Sequence, residues 1–355
     1  MFGIDLFAGA GGLSIGAIEA GIEVKIAVEA DSYAAETYSY NHPETHIHVE
    51  DIATFRKIHL KSSEPLIVFG GPPCQGFSTS NQKTRDIKNS GNWLFQEFIR
   101  VIKMYNPEWI LFENVRGITT TEKGKFVDII ISEIEKCGYS TNSWLLNASD
   151  YGVPQNRTRF FIVGSRDNIA IKKPLVKPGI VKVKDAINDL PILRNGDFFH
   201  ELEYRTEPLS KYAKQMRVKS SLSKNNYVSK NSQEVYKRYK HIPQGGNWSN
   251  IPDELMKNYK DKSRCHTGIY KRLDENKPSV VIGNYRKNML IHPNQDRGLS
   301  VREAARLQSF PDWFVFKGPL GYQQQQVGNA VPPLLAKIVF DEILNAHYRS
   351  GAKCG

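Results

Sequence analysis

The sequence predicts an α/β fold, in which a doubly wound and mostly parallel sheet is joined to a second, smaller and basic domain. Two observations predict it. Over the first 165 residues, short runs of β-branched and aromatic residues alternate with helical patterns, which is typical of strands joined by crossover helices. From about residue 171 the periodicity weakens, and lysine and arginine accumulate.

Six strands and four helices are predicted in the first part of the chain. The strand candidates are residues 3–7, 24–29, 47–49, 66–69, 109–112 and 160–163, and the helix candidates are residues 14–20, 32–41, 94–105 and 125–137. In sheets of this kind, ligands bind outside the carboxyl ends of the strands. We therefore expect the unusual loops after Phe7, Phe69 and Phe112 to lie at one edge of the sheet.

The excess positive charge is confined to the middle of the chain. Residues 171–298 contain 26 Lys and Arg against 13 Asp and Glu, whereas the rest of the chain contains 22 against 24. A solvated lysine-rich surface is one interpretation. A module that binds a polyanion is the other, and the confinement of the charge to one segment favours it. We predict a first domain over residues 1–170 and a second over residues 171–298.

After residue 298 a helical pattern returns. Ser300 is predicted as an N-cap, and Glu303 three residues later completes a capping box. Residues 332–348 predict an amphipathic helix with two prolines near its start.

Composition excludes several classes of protein. No apolar run approaches the ~20 residues of a membrane span. The N-terminus lacks the basic region, apolar stretch and cleavage site of an export signal. The four cysteines are scattered without a C-x-x-C pair, so we expect neither a disulfide framework nor a zinc site. The expectation is a cytoplasmic protein without a bound metal and without a membrane partner.

The stretch DLFAGAGG (residues 5–12) combines a strand end with a glycine-rich turn that opens a helix. Glycines let the backbone approach a ligand closely, and a helix N-terminus favours negative charge. Glu29 lies 20 residues after Gly9, a distance that suits a grip on ribose hydroxyls. Asp51 closes the third strand, where it can accept a hydrogen bond from an exocyclic amine. The pattern indicates a cofactor that contains a nucleoside, although a tight turn beside solvated acids would look the same.

The stretch GGPPCQGFS (residues 70–78) follows a buried strand. A buried cysteine is usually inert. Here Pro72 and Pro73 fix φ immediately before Cys74, and the flanking glycines free the backbone. A thiolate is a good nucleophile, and a positive field lowers the pKa of a thiol. We interpret Cys74 as a candidate nucleophile that is fixed in space at the strand end.

Two further motifs place charged residues near strand ends. FENVRG (residues 112–117) presents Glu113 after a strand, and desolvation can keep such a carboxyl protonated beside a reacting base. QNRTRFFIVG (residues 155–164) carries Arg157 and Arg159 two residues apart, which predicts that both lie on one face of a strand. Such a pair can form salt bridges, or it can serve an anionic substrate or cofactor.

Six motifs occur in order along the chain, namely DLFAGAGG, GGPPCQGFS, ENVRG, QNRTRFFIVG, SVREAARLQSFP and QVGNAVPP. In this order they resemble the signature motifs of the DNA (cytosine-5)-methyltransferase family, of the prokaryotic restriction-modification type. The resemblance runs from Asp5 to about Pro333. It implies the doubly wound, Rossmann-like fold of S-adenosylmethionine-dependent methyltransferases, with a basic target-recognition domain.

For catalysis, the resemblance implies site-specific cytosine-5 methylation of double-stranded DNA. Cys74 attacks C6 of a cytosine that is flipped out of the duplex, and Glu113 protonates or hydrogen-bonds N3. C5 then takes the methyl group from S-adenosylmethionine. Arg159 contacts O2 of the cytosine, and Arg157 supports the loop that carries Cys74.

The resemblance also assigns the S-adenosylmethionine pocket. Its expected residues are Phe7, Gly9, Ala10 and Gly12 for the methionine part, Glu29 for the ribose, Asp51 for the adenine, and Pro73, Leu94 and Asn329 closing the pocket. Residues 299–355 are expected to return to the first domain and complete it.

Double-stranded DNA is the expected partner, bound through the basic residues of the second domain and touched by Gln75 and Ser78. The simplest expectation is a monomer of prokaryotic or phage origin, with a restriction endonuclease as its genetic partner. The target sequence stays open, because any of many Arg, Lys, Asn and Gln side chains could read base edges.

Two positions depart from the family pattern. Gly91 stands where the mobile loop commonly has an arginine, and Val281 with Ile282 stands where a hydroxyl residue is expected after Lys-Pro-Ser. Because of these departures, the sequence does not show which residues close the mobile loop or which residue makes the phosphate contact near the flipped base.

Three alternatives remain. A tRNA methyltransferase of the same fold carries a Cys-Phe-Thr tripeptide in its recognition region, and this chain has none. A catalytically silent DNA-binding homologue is disfavoured by the presence of Cys74, Glu113 and Arg159. A nicotinamide-dependent dehydrogenase is disfavoured because Ser14 replaces the third glycine of its fingerprint.

Overall fold

The computed structural model describes residues 1–60, 64–73, 94–257, 268–283, 285 and 289–351. They form two compact units. The first unit comprises Met1–Tyr151, Thr158–Lys177 and the chain from Pro333 on, and the second comprises Gly152–Arg157 and Pro178–Pro332. Within the described ranges, every helix is too short or too polar to cross a bilayer.

The first unit is built on a twisted sheet, which has seven strands within the described residues. These are β1 (Phe2–Leu6), β2 (Glu23–Glu29), β3 (His46–Val49), β4 (Leu66–Gly70), β5 (Trp109–Val115), β6 (Ser140–Asn147) and β7 (Thr158–Ser165), in the order β3-β2-β1-β4-β5-β7-β6. The first five strands in that order are parallel, and β7 is antiparallel to both of its neighbours. The central strands read as continuous apolar runs because helices cover both faces of the sheet.

Five α-helices of the described chain pack on this sheet. They are α1 (Gly12–Ala20), α2 (Ser32–Asn41), α3 (Phe95–Tyr105), α4 (Lys125–Glu135) and α10 (Pro333–Gly351). The apolar sides of α3 and α4 share one large core with residues of β1 and β5. On the first unit's other helices, α1 and α10 approach closely, because a Cβ on Gly16 would lie only 2.5 Å from that of Ala336. The last helix of the chain thus packs on the first.

The second unit contains a short ribbon, β8 (Phe198–Leu202) with β9 (Ser223–Tyr227), and small helices. The α-helices are α5 (Val183–Ile187), α6 (Lys211–Met216), α7 (Gln233–Tyr239), α8 (Val301–Leu307) and α9 (Leu320–Asn329). Every residue of α8 is buried, including Arg302 and Arg306. The Arg306 guanidinium makes a two-pronged ion pair with Asp312, at 2.6 Å on each prong, and Asp189 lies on its other side at 3.1 Å.

The predicted α/β fold with a mostly parallel sheet is confirmed, as is the capping box of α8, in which Ser300 Oγ and the Glu303 carboxylate exchange hydrogen bonds with each other's backbone N–H. The strand β6 was not predicted, since its sequence STNSWLLN lacks a clean alternation and only two of its eight residues are buried. Residues 299–355 are divided between the two units at Pro333. That the units act as a catalytic and a target-recognition domain stays a prediction.

Candidate active site

The carboxyl ends of four neighbouring parallel strands, β2, β1, β4 and β5, meet at one edge of the first unit's sheet. This edge brings together the glycine-rich turn after β1, Glu29 at the end of β2, the segment that leaves β4, and Glu113 near the end of β5. The expectation that the unusual loops share one edge is confirmed for the residues that the structure describes.

The turn after β1 is held in left-handed backbone conformations. Phe7 has φ +58° although it is not glycine, Gly9 has φ +55°, and Gly11 has φ +96°. Nothing lies within 4 Å of the position where a Gly9 side chain would start, whereas a Cβ on Gly11 would collide with His42. The turn therefore has an open side at Gly9 and a tightly packed side at Gly11, which fits a ligand that approaches the backbone at Gly9.

Glu29 stabilises this turn by accepting backbone hydrogen bonds, a role that the sequence did not reveal. The Gly9 N–H donates to Glu29 Oε2 at 2.7 Å, and the Asp31 N–H donates to Oε1 at 2.8 Å. Burial raises the pKa of Glu29, while the two backbone donors oppose that shift. Each carboxylate oxygen still has a second lone pair, so the predicted grip on ribose hydroxyls is compatible with this geometry.

Beneath the turn lies a fully buried carboxyl, Asp5, which sequence analysis did not single out. Its Oδ2 is 2.7 Å from Ser14 Oγ, which is in turn 2.7 Å from the Tyr38 hydroxyl. Asp5 Oδ1 is buried and has no hydrogen-bond partner among the described residues. Burial raises the pKa of Asp5 to about 8, and the nearby charge of Glu29 adds to the shift. The geometry and the shift indicate a neutral carboxylic acid at pH 7.

Asp51 and Leu94, two other predicted cofactor residues, flank the core of the first unit. Asp51 is exposed just after β3, where its Oδ1 accepts the Ala53 N–H at 2.9 Å. Leu94 caps α3 and packs partly buried against the large apolar core. Ala10 and Gly12, at the start of α1, are buried.

The glycines of GGPPC are required by close approach rather than by left-handed backbone. A Cβ on Gly70 would lie 2.2 Å from the Leu6 carbonyl oxygen, and one on Gly71 would lie 2.6 Å from Glu113 Oε2. The Asn114 side chain donates to the Pro72 carbonyl at 3.0 Å. Pro72 is buried and Pro73 is exposed. The chain leaving β4 is thus packed directly against the carboxylate of Glu113.

Three predicted residues of the loop that follows Pro73 lie outside the described residues. They are the candidate nucleophile Cys74 and the candidate DNA contacts Gln75 and Ser78. Their roles stay predictions.

Glu113 and Arg159 form a buried ion pair. Arg159 Nε lies 2.8 Å from Glu113 Oε1, and both side chains are 8% exposed. Glu113 is opposite Phe161 and Arg159 is opposite Val115 in the antiparallel register of β5 and β7, so the pair is diagonal on one face. Burial lowers the pKa of Arg159, and the charge of Glu113 opposes that shift. Contrary to the sequence prediction, Glu113 lies within its strand rather than after it.

Arg157 does not share a strand face with Arg159, and that prediction was wrong. Strand β7 begins at Thr158, and Arg157 belongs to the second unit. There its buried guanidinium donates to the carbonyls of Gly328 at 2.8 Å and Ala330 at 3.0 Å. Arg157 therefore holds the backbone around Asn329, the predicted cofactor residue that lies exposed at the end of α9.

Several contributing residues were missed at the sequence level. Asp5, Gly71 and Asn114 act through contacts that no local pattern announces, although all three stand inside or beside the quoted motifs. Within the described ranges, no group of three or more His, Cys, Asp or Glu is arranged to hold a metal ion. The glycine-rich turn and the acids beside it are the part of the site that suits a cofactor containing a nucleoside.

Comparison with known proteins shows which family this chain belongs to. The sequence matches the family model described as C-5 cytosine-specific DNA methylase over residues 1–345. It is 35% identical to Type II methyltransferase M.DdeI of Desulfomicrobium norvegicum, over 96% of this chain and 88% of that protein. It is 36% identical to Type II methyltransferase M1.HphI of Haemophilus parahaemolyticus, over 96% of this chain and 86% of that protein.

Among solved structures, the chain resembles one described as a DNA modification methyltransferase encoded within an E. coli prophage. The TM-score is 0.79 at 27% identity, and the match covers 98% of this chain and 99% of that one. A structure of Schizosaccharomyces pombe Dnmt2 methyltransferase matches with a TM-score of 0.60 at 16% identity, which shows a shared fold.

Proposed function

The chain belongs to the C-5 cytosine-specific DNA methylase family and is a DNA (cytosine-5) methyltransferase, and from that premise we propose a mechanism in which Cys74, Glu113 and Arg159 act on a cytosine flipped out of duplex DNA. The two relatives compared above are named Type II methyltransferases. The proposed biological role is accordingly the protection of host DNA in a restriction-modification system.

The observation that carries the mechanism is the buried pair of Glu113 and Arg159 at the same sheet edge as the glycine-rich turn. The pair stands where the chain leaves β4 toward Cys74, and Gly71 packs against the carboxylate. One edge therefore supplies an acid, a guanidinium and the start of the nucleophile loop.

In the proposed reaction, the Cys74 thiolate forms a bond to C6 of the cytosine. The displaced electron pair makes C5 nucleophilic, and a proton shared between Glu113 and N3 relieves the charge on the ring. Arg159 orients Glu113 and contacts O2. A base then removes the C5 proton, and β-elimination breaks the bond from sulfur to C6 and restores the thiolate.

S-adenosylmethionine, when bound, supplies the methyl group that C5 acquires. The residues proposed to hold it are those of the turn at Phe7 and Gly9, with Glu29 for the ribose and Asp51 for the adenine. The open side of the turn at Gly9 supports this assignment. Proposed contributions of Ala10, Gly12, Pro73, Leu94 and Asn329 complete the pocket.

Base flipping is needed because a stacked cytosine cannot present C6 to a thiolate. Extrusion costs a few kcal/mol, which contacts to the phosphates and to the flipped base offset. We assign the phosphate contacts to the basic segment 171–298, with Gln75 and Ser78 near the target base. Action as a cytoplasmic monomer, with a cognate endonuclease as genetic partner, belongs to the same proposal.

The decisive experiment offers methyl-labelled S-adenosylmethionine to unmethylated duplex DNA and, in parallel, to unmodified tRNA. Digestion to nucleosides identifies the product, and Cys74→Ala is the control. We expect label in 5-methylcytosine from DNA, which Cys74→Ala abolishes. Label in tRNA alone would refute the DNA assignment. Label in DNA that survives Cys74→Ala would refute the covalent mechanism.

A further inference from the structure

The segment that follows β3 carries Asp51 but contains no helix or strand from residue 51 to residue 60. No regular ladder satisfies its backbone polar groups, so their partners come from turns, side chains or water. Two apolar residues, Ile52 and Phe55, anchor it in the core of the first unit, at 5% and 1% exposure. Apolar anchors fix the depth of a segment but not the direction of its carbonyls.

One side chain of α3 engages those carbonyls directly. Arg100 Nη2 donates to the Ile52 carbonyl at 2.6 Å, and Nη1 donates to the Phe55 carbonyl at 3.1 Å. The remaining nitrogen, Nε, donates to Glu97 Oε2 at 2.6 Å, which fixes the guanidinium on the helix. A planar fork with all three nitrogens engaged sets orientation as well as distance.

The turn that Arg100 holds is the turn that orients Asp51. The Phe55 N–H donates to the Ile52 carbonyl, and the Thr54 N–H donates to the Asp51 carbonyl. Arg100 thus donates hydrogen bonds to both ends of the span from Ile52 to Phe55. The exposed carboxylate of Asp51 lies immediately before this span, and the Asp51 backbone is not part of a strand.

We propose that Arg100 is a positioning residue for adenine recognition, acting through the carbonyls of Ile52 and Phe55 to aim the Asp51 carboxylate at the 6-amino group of the cofactor. The inference rests on the proposed function, which assigns Asp51 to the adenine. It adds a residue of α3 that acts through the backbone of the segment after β3.

The test measures discrimination between two ligands by titration calorimetry on the full chain. S-adenosylhomocysteine carries the 6-amino group, and S-inosylhomocysteine carries a carbonyl oxygen in its place. Wild type is expected to prefer the first ligand. In Arg100→Met the first ligand should bind about tenfold more weakly, as expected for the loss of charged hydrogen bonds, and the preference should fall toward one. Lys103→Met removes a positive charge from an exposed position of the same helix and should leave both affinities unchanged.

The outcomes separate the inference from its premise. If wild type binds neither ligand, the cofactor assignment fails and the inference fails with it. If wild type prefers S-adenosylhomocysteine and Arg100→Met shows the same ratio, the positioning role is refuted while the pocket stands. A wild type that binds both ligands equally also refutes it. Should Arg100→Met fold poorly, Arg100→Lys retains the charge but not the fork, and it should show a reduced ratio with an unchanged unfolding midpoint.

Discussion

Asp5→Asn should stabilise the protein, and the gain should grow with pH. The wild-type carboxyl is fully buried and its pKa is raised from 3.8 to about 8. Between these values the folded protein holds a proton that the unfolded chain releases, so the free energy of unfolding falls as pH rises through this window. Asparagine is neutral without a proton and is free of this loss.

The magnitude follows from the size of the shift. Each pKa unit corresponds to about 1.4 kcal/mol, so holding Asp5 neutral costs the folded state up to about 4 kcal/mol at pH 7. In Asp5→Asn the amide nitrogen takes the place of Oδ1, which is buried and has no hydrogen-bond partner among the described residues. Its N–H groups therefore lack an acceptor, and an unsatisfied donor costs about 1–3 kcal/mol. The net expectation at pH 7 is a gain of about 1–3 kcal/mol.

Urea denaturation of the two proteins between pH 5 and pH 8 measures this difference. The cost of the amide is independent of pH, so the advantage of Asp5→Asn should rise by about 1.4 kcal/mol for each pH unit. Asp31→Asn, which replaces the exposed N-cap of α2 by another good N-cap, gives the background slope. A difference between wild type and Asp5→Asn that stays constant across the range would refute the neutral carboxyl.

Three further predictions test other parts of the structure. Glu113→Gln or Arg159→Met alone should cost about 3–5 kcal/mol of unfolding free energy, because each leaves a buried charge without its partner, and the double variant should recover part of that loss in a denaturation cycle. Gly71→Ala places a Cβ 2.6 Å from Glu113 Oε2. It should lower kcat at least about tenfold, while calorimetry shows unchanged binding of S-adenosylhomocysteine. An equal loss of kcat and of S-adenosylhomocysteine affinity would contradict the placement of Gly71 against the Glu113 carboxylate. Ser300→Ala removes the capping box of α8 and should lower the unfolding free energy by about 1 kcal/mol in urea, with no change in kcat.

Local patterns were sufficient to predict most of the first unit. The helix over residues 32–41 has the predicted limits, and the strand after residue 66 extends only one residue further than predicted. Alternation and helical periodicity arise within a few residues of each other, so a sequence displays them directly. The capping box at Ser300 and Glu303 is local for the same reason.

The roles of individual side chains near the site depended on contacts between distant residues. Arg157 and Arg159 stand two residues apart in the chain. In the structure Arg159 pairs with Glu113, 46 residues away, whereas Arg157 binds carbonyls about 170 residues away. Spacing alone predicted one shared strand face, because it could not show that the chain passes from the second unit to β7 between them.

Gly70, Gly71 and Asp5 show the same difference between what a local pattern predicts and what tertiary contacts decide. The sequence determined that GGPPC stands at the carboxyl end of one strand and Asp5 near the carboxyl end of another. The tertiary structure decided that Gly70 and Gly71 make room for Leu6 and Glu113, and that Asp5 is sealed from water beside Glu29. Steric exclusion and desolvation depend on which atoms surround a group in space. Those neighbours come from separate parts of the chain, so only the assembled fold defines them.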